Sequence, residues 1–359
     1  METYQVSALR YRPQTFEEVV GQQAITQTLK NAVEQNQLAQ ALLFCGPRGV
    51  GKTSCARILA KTINQQQGAT EERDFAFNIF ELDAASNNSV DDIRQLNEQV
   101  RIPPQVGTHK VYIIDEVHML STSAFNAFLK TLEEPPKHVI FILATTEKHK
   151  IIPTILSRCQ IYDFKRISIE DIKESLVKIA TNLQIPYEDE ALQLIAVKAD
   201  GAMRDALSIF DRMVSFTQKN LTTSGVASNL NILDYDTYFK FTEHILNQDI
   251  PSILMLIDQV ISKGFEGGQF IEGLSNHYRT LLVSKDPQTV PLIEVAAQTK
   301  TLYLEQSKAF DLQILIEGLK IINETSLNYK NSTHKRLLIE LCFMQLASLH
   351  HDGEKKKAI

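Results

Sequence analysis

Eight consecutive residues, Gly46-Pro47-Arg48-Gly49-Val50-Gly51-Lys52-Thr53, have the types and spacing to cradle a polyphosphate. In a GxxxxGKT run the glycines let backbone N–H groups turn inward around a β-phosphate. The lysine neutralises the β and γ oxygens, and the threonine hydroxyl faces a Mg²⁺ ion. Ser54 opens a helix-forming stretch, whose N-terminal dipole adds to the attraction for an anion. The alternative, a glycine-rich turn with a chance lysine, is disfavoured because the run stands between a short apolar segment and that helix. A second constellation is Asp115-Glu116-Val117-His118, at the end of the apolar run 111–114. Acids at the carboxyl edge of a parallel sheet sit where such folds bind ligands. Asp115 is assigned to Mg²⁺ and Glu116 to the attacking water, the proton-handling task in nucleotide hydrolysis. Paired acids at a strand end can also merely cap the next helix. His118 is read as structural, with no assigned task.

These residues need a sheet to hold them, and the first 165 residues alternate short apolar runs with amphipathic ones, the pattern of an α/β fold with a parallel sheet. Strands are expected at 41–45, 78–82, 111–115, 139–144 and 161–164, short and rich in β-branched or aromatic residues. Ser89 with Asp92 reads as a capping box opening a helix that ends near Val100. From Lys165 onward the strand signal stops. Ile169, Ile172, Leu176, Ile179 and Leu183 recur at helical spacing behind a second capping pair, Ser168 and Asp171. Helices are expected to continue through 188–199 and 203–216, before a polar boundary at 217–231. A third region follows, again helical, with Leu312, Leu315, Ile316, Leu319 and Ile322 at helical spacing. Turns are expected at 264–268 and 286–291. The division is therefore an α/β nucleotide-binding domain (1–165), a small helical lid (166–220), a helical collar (221–350) and the start of a polar linker (351–359).

Composition narrows the class. The chain has 359 residues, 43% of them hydrophobic and 22% charged, as expected of a soluble globular protein with more than one core. With no apolar run long enough to span a membrane and no secretory leader in the opening residues, a cytoplasmic location is expected. A net charge of −6 excludes a general nucleic-acid coat, so any DNA contact must be local. The four cysteines, Cys45, Cys55, Cys159 and Cys342, form no CxxC pair and are read as reduced thiols.

A family resemblance runs through the same residues. Leu9-Arg10-Tyr11-Arg12-Pro13 with Phe16, Val19, Val20, Gly21 and Gln22, then GPRGVGKT, IDEVHML, FLKTLEEPP, LATTE and Ser157-Arg158-Cys159, resemble the AAA+ clamp-loader ATPases. ELDAASNNSVDDIR, LATTEKHKIIPTILSRC and Gly201-Ala202-Met203-Arg204-Asp205-Ala206 resemble, within that family, the bacterial DNA polymerase III gamma/tau subunits. The likeness is dense up to Met213 and rests on length and helical character beyond it.

The resemblance implies roles that spacing does not show. Ala8, Arg12, Pro13 and Val20 would surround the adenine. Thr146 would be the polar sensor at its strand end, with Thr145 the alternative if the alignment shifts by one. Arg204 would be a second sensor reaching the γ-phosphate, and Arg158 an arginine finger serving the ATP of a neighbouring subunit. The plainer reading of Arg158 is a surface salt bridge, worth under about 1 kcal/mol. One departure stands out: gamma/tau relatives commonly carry four zinc-binding cysteines just after the phosphate-loop helix, and here residues 62–73 contain none. ATP and Mg²⁺ are expected as cofactors, and no zinc. For DNA, the helix starts at Asn87-Asn88-Ser89 and Ser121-Thr122-Ser123 could offer backbone N–H groups to phosphates, with ordinary N-capping an equal alternative.

The resemblance thus implies an ATP hydrolase within the DNA polymerase III holoenzyme, an assembly classed by its DNA-directed DNA polymerase activity. Its partners would be delta and delta-prime type subunits, further gamma/tau copies, the sliding clamp and primer-template DNA, with no membrane. Two rival readings make different demands on the sequence. A non-catalytic delta-prime type scaffold would lack a working phosphate loop, and a branch-migration motor would end in a basic winged helix in place of the helical spacing after residue 231.

Overall fold

The structure is a computed structural model that describes residues 6–65, 78–105, 107–230, 235–293, 295 and 297–349. The cysteine-free stretch beyond Gln65 and the linker expected at 351–359 lie outside the described residues. The chain divides into two compact units, residues 1–179 with 196–211 and residues 180–195 with 212–359.

In the first unit five strands form one parallel sheet: β1 (Ala41–Cys45), β2 (Ile79–Asp83), β3 (Lys110–Asp115), β4 (Val139–Thr145) and β5 (Gln160–Asp163). Their order is β2-β3-β4-β1-β5, so β1 lies between β4 and β5. All five expected strands are present, with ends shifted by one residue at most. Phe164, expected inside β5, follows it, donating its N–H to the Cys45 carbonyl at 2.7 Å.

Alternation along each strand divides the apolar residues between two faces. Leu42, Phe44, Val111, Ile113, Ile140 and Ile142 pack with α2 (Gln23–Glu34) and α3 (Lys52–Gln65), through Leu29, Val33, Ile58, Leu59 and Ile63. Leu43, Tyr112, Ile114, Phe141 and Leu143 pack on the other face. Their partners are α4 (Val90–Val100), α5 (Thr122–Glu133) and α6 (Pro153–Leu156), through Ile93, Leu96, Phe125, Phe128 and Ile155. The three central strands, β1, β3 and β4, are covered on both sides and therefore read as nearly unbroken apolar runs. The capping box that opens α4 is formed: the Asp92 N–H donates to Ser89 Oγ at 3.2 Å, and the Ser89 N–H donates to Asp92 Oδ2 at 3.0 Å.

Three helices follow, α7 (Ile169–Asn182), α8 (Asp189–Lys198) and α9 (Met203–Phe216), and the divisions between the two units fall within them. The Asp171 N–H donates to Ser168 Oγ at 3.1 Å, as expected of the start of α7. The polar stretch read as a boundary at 217–231 contains a helix, α10 (Thr223–Asn229). Thr222 caps it, and it buries only Val226 and Ala227, too few apolar residues to give a periodic signal.

The rest of the second unit is helical in its described residues: α11 (Tyr235–Leu246), α12 (Ile250–Ser262), α13 (Gly267–Val283), α14 (Ala297–Ser307), α15 (Leu312–Tyr329) and α16 (Lys335–Ser348). Phe241, Phe270 and Phe343 meet at its centre with ring centroids 4.6 to 5.3 Å apart. Around them pack Ile253, Ile257, Leu274, Leu315, Ile322 and Leu346. Among the described residues no strand follows β5, so the winged-helix end required by the branch-migration rival is not seen there. Nor is any helix of the described residues long and apolar enough to cross a membrane.

Candidate active site

The loop after β1 has the backbone that its glycines permit. Gly46, Gly49 and Gly51 hold φ values of 149°, 77° and 101°, a region that side chains disfavour. A Cβ on Gly46 would also collide with the backbone carbonyl of Phe164. Lys52 opens α3 with its ammonium buried, donating to the carbonyls of Gly46 and Pro47 at 2.7 Å each. That burial pushes its pKa down, while the nearby Glu116 and Asp115 oppose the shift. A buried cation curled onto its own loop is placed to exchange two carbonyl contacts for phosphate oxygens.

Thr53 joins the loop to the next strand but one. Its Oγ1 donates to Asp115 Oδ2 at 2.8 Å, which puts a hydroxyl and a carboxylate at one point beside the loop. Two protein oxygens suit Mg²⁺, which usually keeps waters and takes its remaining ligands from substrate phosphates. Among the described residues no cluster of three or more His, Cys, Asp or Glu side chains is placed to hold a metal ion. Burial pushes the thiols of Cys45 and Cys159 up to about 11 and that of Cys55 to about 12.

Glu116 stands just beyond β3 in the left-handed region, at φ 47°, and its N–H donates to Asp115 Oδ1 at 2.9 Å. For a non-glycine residue that conformation costs on the order of 1 kcal/mol, and such positions cluster at active sites. Its carboxylate accepts from Thr146 Oγ1 at 3.0 Å and from the Thr146 N–H at 3.4 Å. Thr145, the alternative sensor, is buried at the end of β4, where its hydroxyl faces His118 Nδ1 at 3.0 Å and accepts the Glu147 N–H. The geometry thus pairs Thr146, and not Thr145, with Glu116.

A cavity of 530 Å³ adjoins this group, large enough for a nucleotide. Ala8, Arg12, Pro13 and Val20 line it together with Arg48, Gly49, Val50, Gly51, Lys52, Thr53, Ser54, Asp115, Glu116 and Arg204. Arg204 is exposed at the start of α9, and its N–H donates to the Gly49 carbonyl at 3.4 Å. Tyr11, Val19, Ile179 and Met203, which sequence reasoning named without a site role of their own, also line the cavity, as do Ile167, Leu207 and Asp211, which it did not name. Asp211 accepts the N–H of Ser7 at 2.7 Å and so fixes α1 (Ser7–Arg10) to α9, a pairing 204 residues apart that no local pattern reveals.

Arg158 is not part of this group. It follows α6 with its side chain one-third exposed, donating through Nη2 to Glu133 Oε1 and through Nη1 to the Thr154 carbonyl, at 2.6 Å each. The helix starts considered for DNA are capped: Ser121 Oγ accepts the Ala124 N–H and donates to the Asn88 carbonyl. That leaves α4 and α5 beginning side by side with exposed N-terminal residues.

The fold is similar to that of the Thermotoga maritima RuvB Holliday junction branch migration motor. The two share 22% identity and a TM-score of 0.50, over 66% of this chain and 79% of that one. That likeness shows the fold alone: the chain is a phosphate-loop protein built on a five-stranded parallel sheet. Sequence comparison is more specific. Residues 21–168 match the family described as DNA polymerase III, delta subunit, and residues 171–219 match the ATPase lid domain of the DNA polymerase III clamp loader subunit. The DNA polymerase III subunit tau of Bacillus subtilis is 38% identical over 98% of this chain, which spans 64% of that protein's length. The DNA polymerase III subunit gamma of Buchnera aphidicola subsp. Baizongia pistaciae is 39% identical over 70% of this chain and 71% of its own length. The chain belongs to the DNA polymerase III gamma/tau subunit family.

Proposed function

We propose that the chain is an ATPase subunit of a DNA polymerase III clamp loader, in which ATP binding prepares the assembly to open a sliding clamp on primed DNA and hydrolysis releases it. The observation that carries this reading is the line Lys52, Thr53, Asp115, Glu116, Thr146, which runs from the phosphate loop to the ends of β3 and β4. Ala8, Arg12, Pro13 and Val20 would bind the base, and Gly46 to Ser54 the phosphates, with Arg204 reaching the γ-phosphate from α9. Glu116 would orient a water and take its proton, with Thr146 holding the carboxylate. Thr53 and Asp115 would hold Mg²⁺, which when bound neutralises charge on the transferred phosphoryl group. Arg158 would serve the site of an adjacent subunit. The reading takes ATP and Mg²⁺ but no zinc. Its partners are delta and delta-prime type subunits, further gamma/tau copies, the clamp and primer-template DNA, with the paired starts of α4 and α5 as candidate phosphate contacts.

The match of residues 21–168 to a delta-subunit family favours, as a second reading, a non-catalytic place in the same assembly. The intact loop and acid pair weigh against it. Steady-state ATPase of the chain assembled with delta-type subunits, measured with and without clamp and primed DNA, decides between them. Clamp-stimulated turnover lost in Glu116→Gln supports the first reading; turnover absent from the wild-type assembly supports the second.

A further inference from the structure

His118, to which the sequence assigned no task, is enclosed beside Glu116, with its side chain 5% exposed. Each ring nitrogen faces a carboxylate: Nδ1 lies 3.4 Å from Glu116 Oε2, and Nε2 lies 3.1 Å from Glu147 Oε2. Thr145 Oγ1 stands 3.0 Å from Nδ1, and Lys150 Nζ donates to Glu147 Oε2 at 2.7 Å. A planar ring fixed at both nitrogens has little rotational freedom, and the Glu116 carboxylate it touches is otherwise held only by Thr146 among the contacts described above. The ring is not among the residues lining the cavity, and its polar contacts, to Thr145, Glu116 and Glu147, include none to the phosphate loop.

We propose that His118 is a positioning residue that holds the Glu116 carboxylate for its encounter with water, and that Glu147 holds His118 through Nε2. The inference rests on the reading of Glu116 as the water-orienting acid. A misplaced reacting group of about 1 Å costs on the order of a hundredfold in rate, whereas nucleotide affinity depends on the loop, which His118 leaves alone.

The test uses the full chain assembled with delta-type subunits, clamp and primed DNA, and compares His118→Ala, His118→Asn, Glu147→Gln and Glu116→Gln for kcat, KM and ATP affinity. In His118→Ala, kcat should fall by about 10- to 100-fold with KM and affinity within about threefold of wild type. An asparagine amide reaches the place of Nδ1 but not that of Nε2, so His118→Asn should recover at least about threefold of the lost kcat. Glu147→Gln should lower kcat by a smaller factor, affinity again unchanged, and it carries the test should the alanine variant fail to fold. Wild-type kcat in His118→Ala, or equal losses in the alanine and asparagine variants, overturns the proposal while Glu116→Gln remains inactive. Wild-type turnover in Glu116→Gln overturns instead the reading of the site on which the proposal rests.

Discussion

The guanidinium of Arg158 is held within its own chain by Glu133, Nη2 donating to Oε1 at 2.6 Å, with both side chains part-exposed. An exposed pair of this kind contributes under about 1 kcal/mol, so it can be exchanged for a better acceptor at small cost. A finger arginine needs that freedom.

The first prediction concerns the trans role. Arg158→Ala should fold and bind ATP as wild type does yet lose hydrolysis in the assembly, by a factor of about 10³ if it behaves like known fingers. Glu116→Gln should also bind without turnover. On the proposed roles, Arg158 serving a neighbour's ATP and Glu116 its own, mixed assemblies should regain activity at interfaces that pair an intact Glu116 with an intact Arg158. ATPase titrations of the two variants against each other measure this; mixtures no more active than either variant alone, with assembly intact, would put Arg158 in its own chain's site or in a structural role.

Lys52→Ala should weaken ATP binding by at least about a hundredfold, the loss expected of a charge-assisted contact to phosphate. Without nucleotide, its stability should stay within about 1 kcal/mol of wild type, since two carbonyl contacts are lost while a buried ammonium is removed. Thermal unfolding with and without ATP reads both effects, and a given ATP concentration should raise Tm by less in the variant than in the wild type.

Gly46→Ala places a side chain at φ 149° against Phe164. The strain should cost on the order of 1–3 kcal/mol and distort the loop, so that stability and ATP binding fall together. Chemical denaturation alongside nucleotide titration checks this. Unchanged stability would mean that the loop has another accessible conformation.

The second unit has its own pH dependence. His277 is enclosed between Thr242 Oγ1 at 3.3 Å and the Tyr303 hydroxyl at 2.8 Å, and burial pushes its pKa down to about 3. The Thr242 hydroxyl has Gln306 Oε1 at 2.8 Å and the carbonyls of Tyr238 and Phe239 at 3.0 Å each as acceptors for its proton, which leaves it to accept from Nε2–H and Tyr303 to donate to Nδ1, an arrangement for the neutral ring. Below the ordinary value of 6.5 the unfolded chain therefore binds a proton that the folded chain refuses. The contribution is fully present above that pH and declines by about 1.4 kcal/mol per unit as pH falls toward 3. Urea unfolding at pH 7 and pH 5 should show a loss in wild type about 2 kcal/mol larger than in His277→Gln.

Much of this protein is written locally. The GPRGVGKT loop, the five apolar strands and the Ser89 and Ser168 helix starts depend on neighbours a few residues apart, so pattern alone specifies them. The short α10 escaped because a helix burying two small apolar residues has no period to read. Tertiary structure alone decided which distant residues meet. Only the parallel pairing of β1 with β4 and of β3 with β4 brings the loop, Asp115 and Thr146 to one edge. Only the left-handed turn at Glu116 shows that Thr146 is the threonine beside it, and only packing against Glu147 turns His118 from a lone histidine into a pinned ring. Side-chain contacts across 27 to 204 residues depend on how the whole chain is packed, and no short-range signal carries that information.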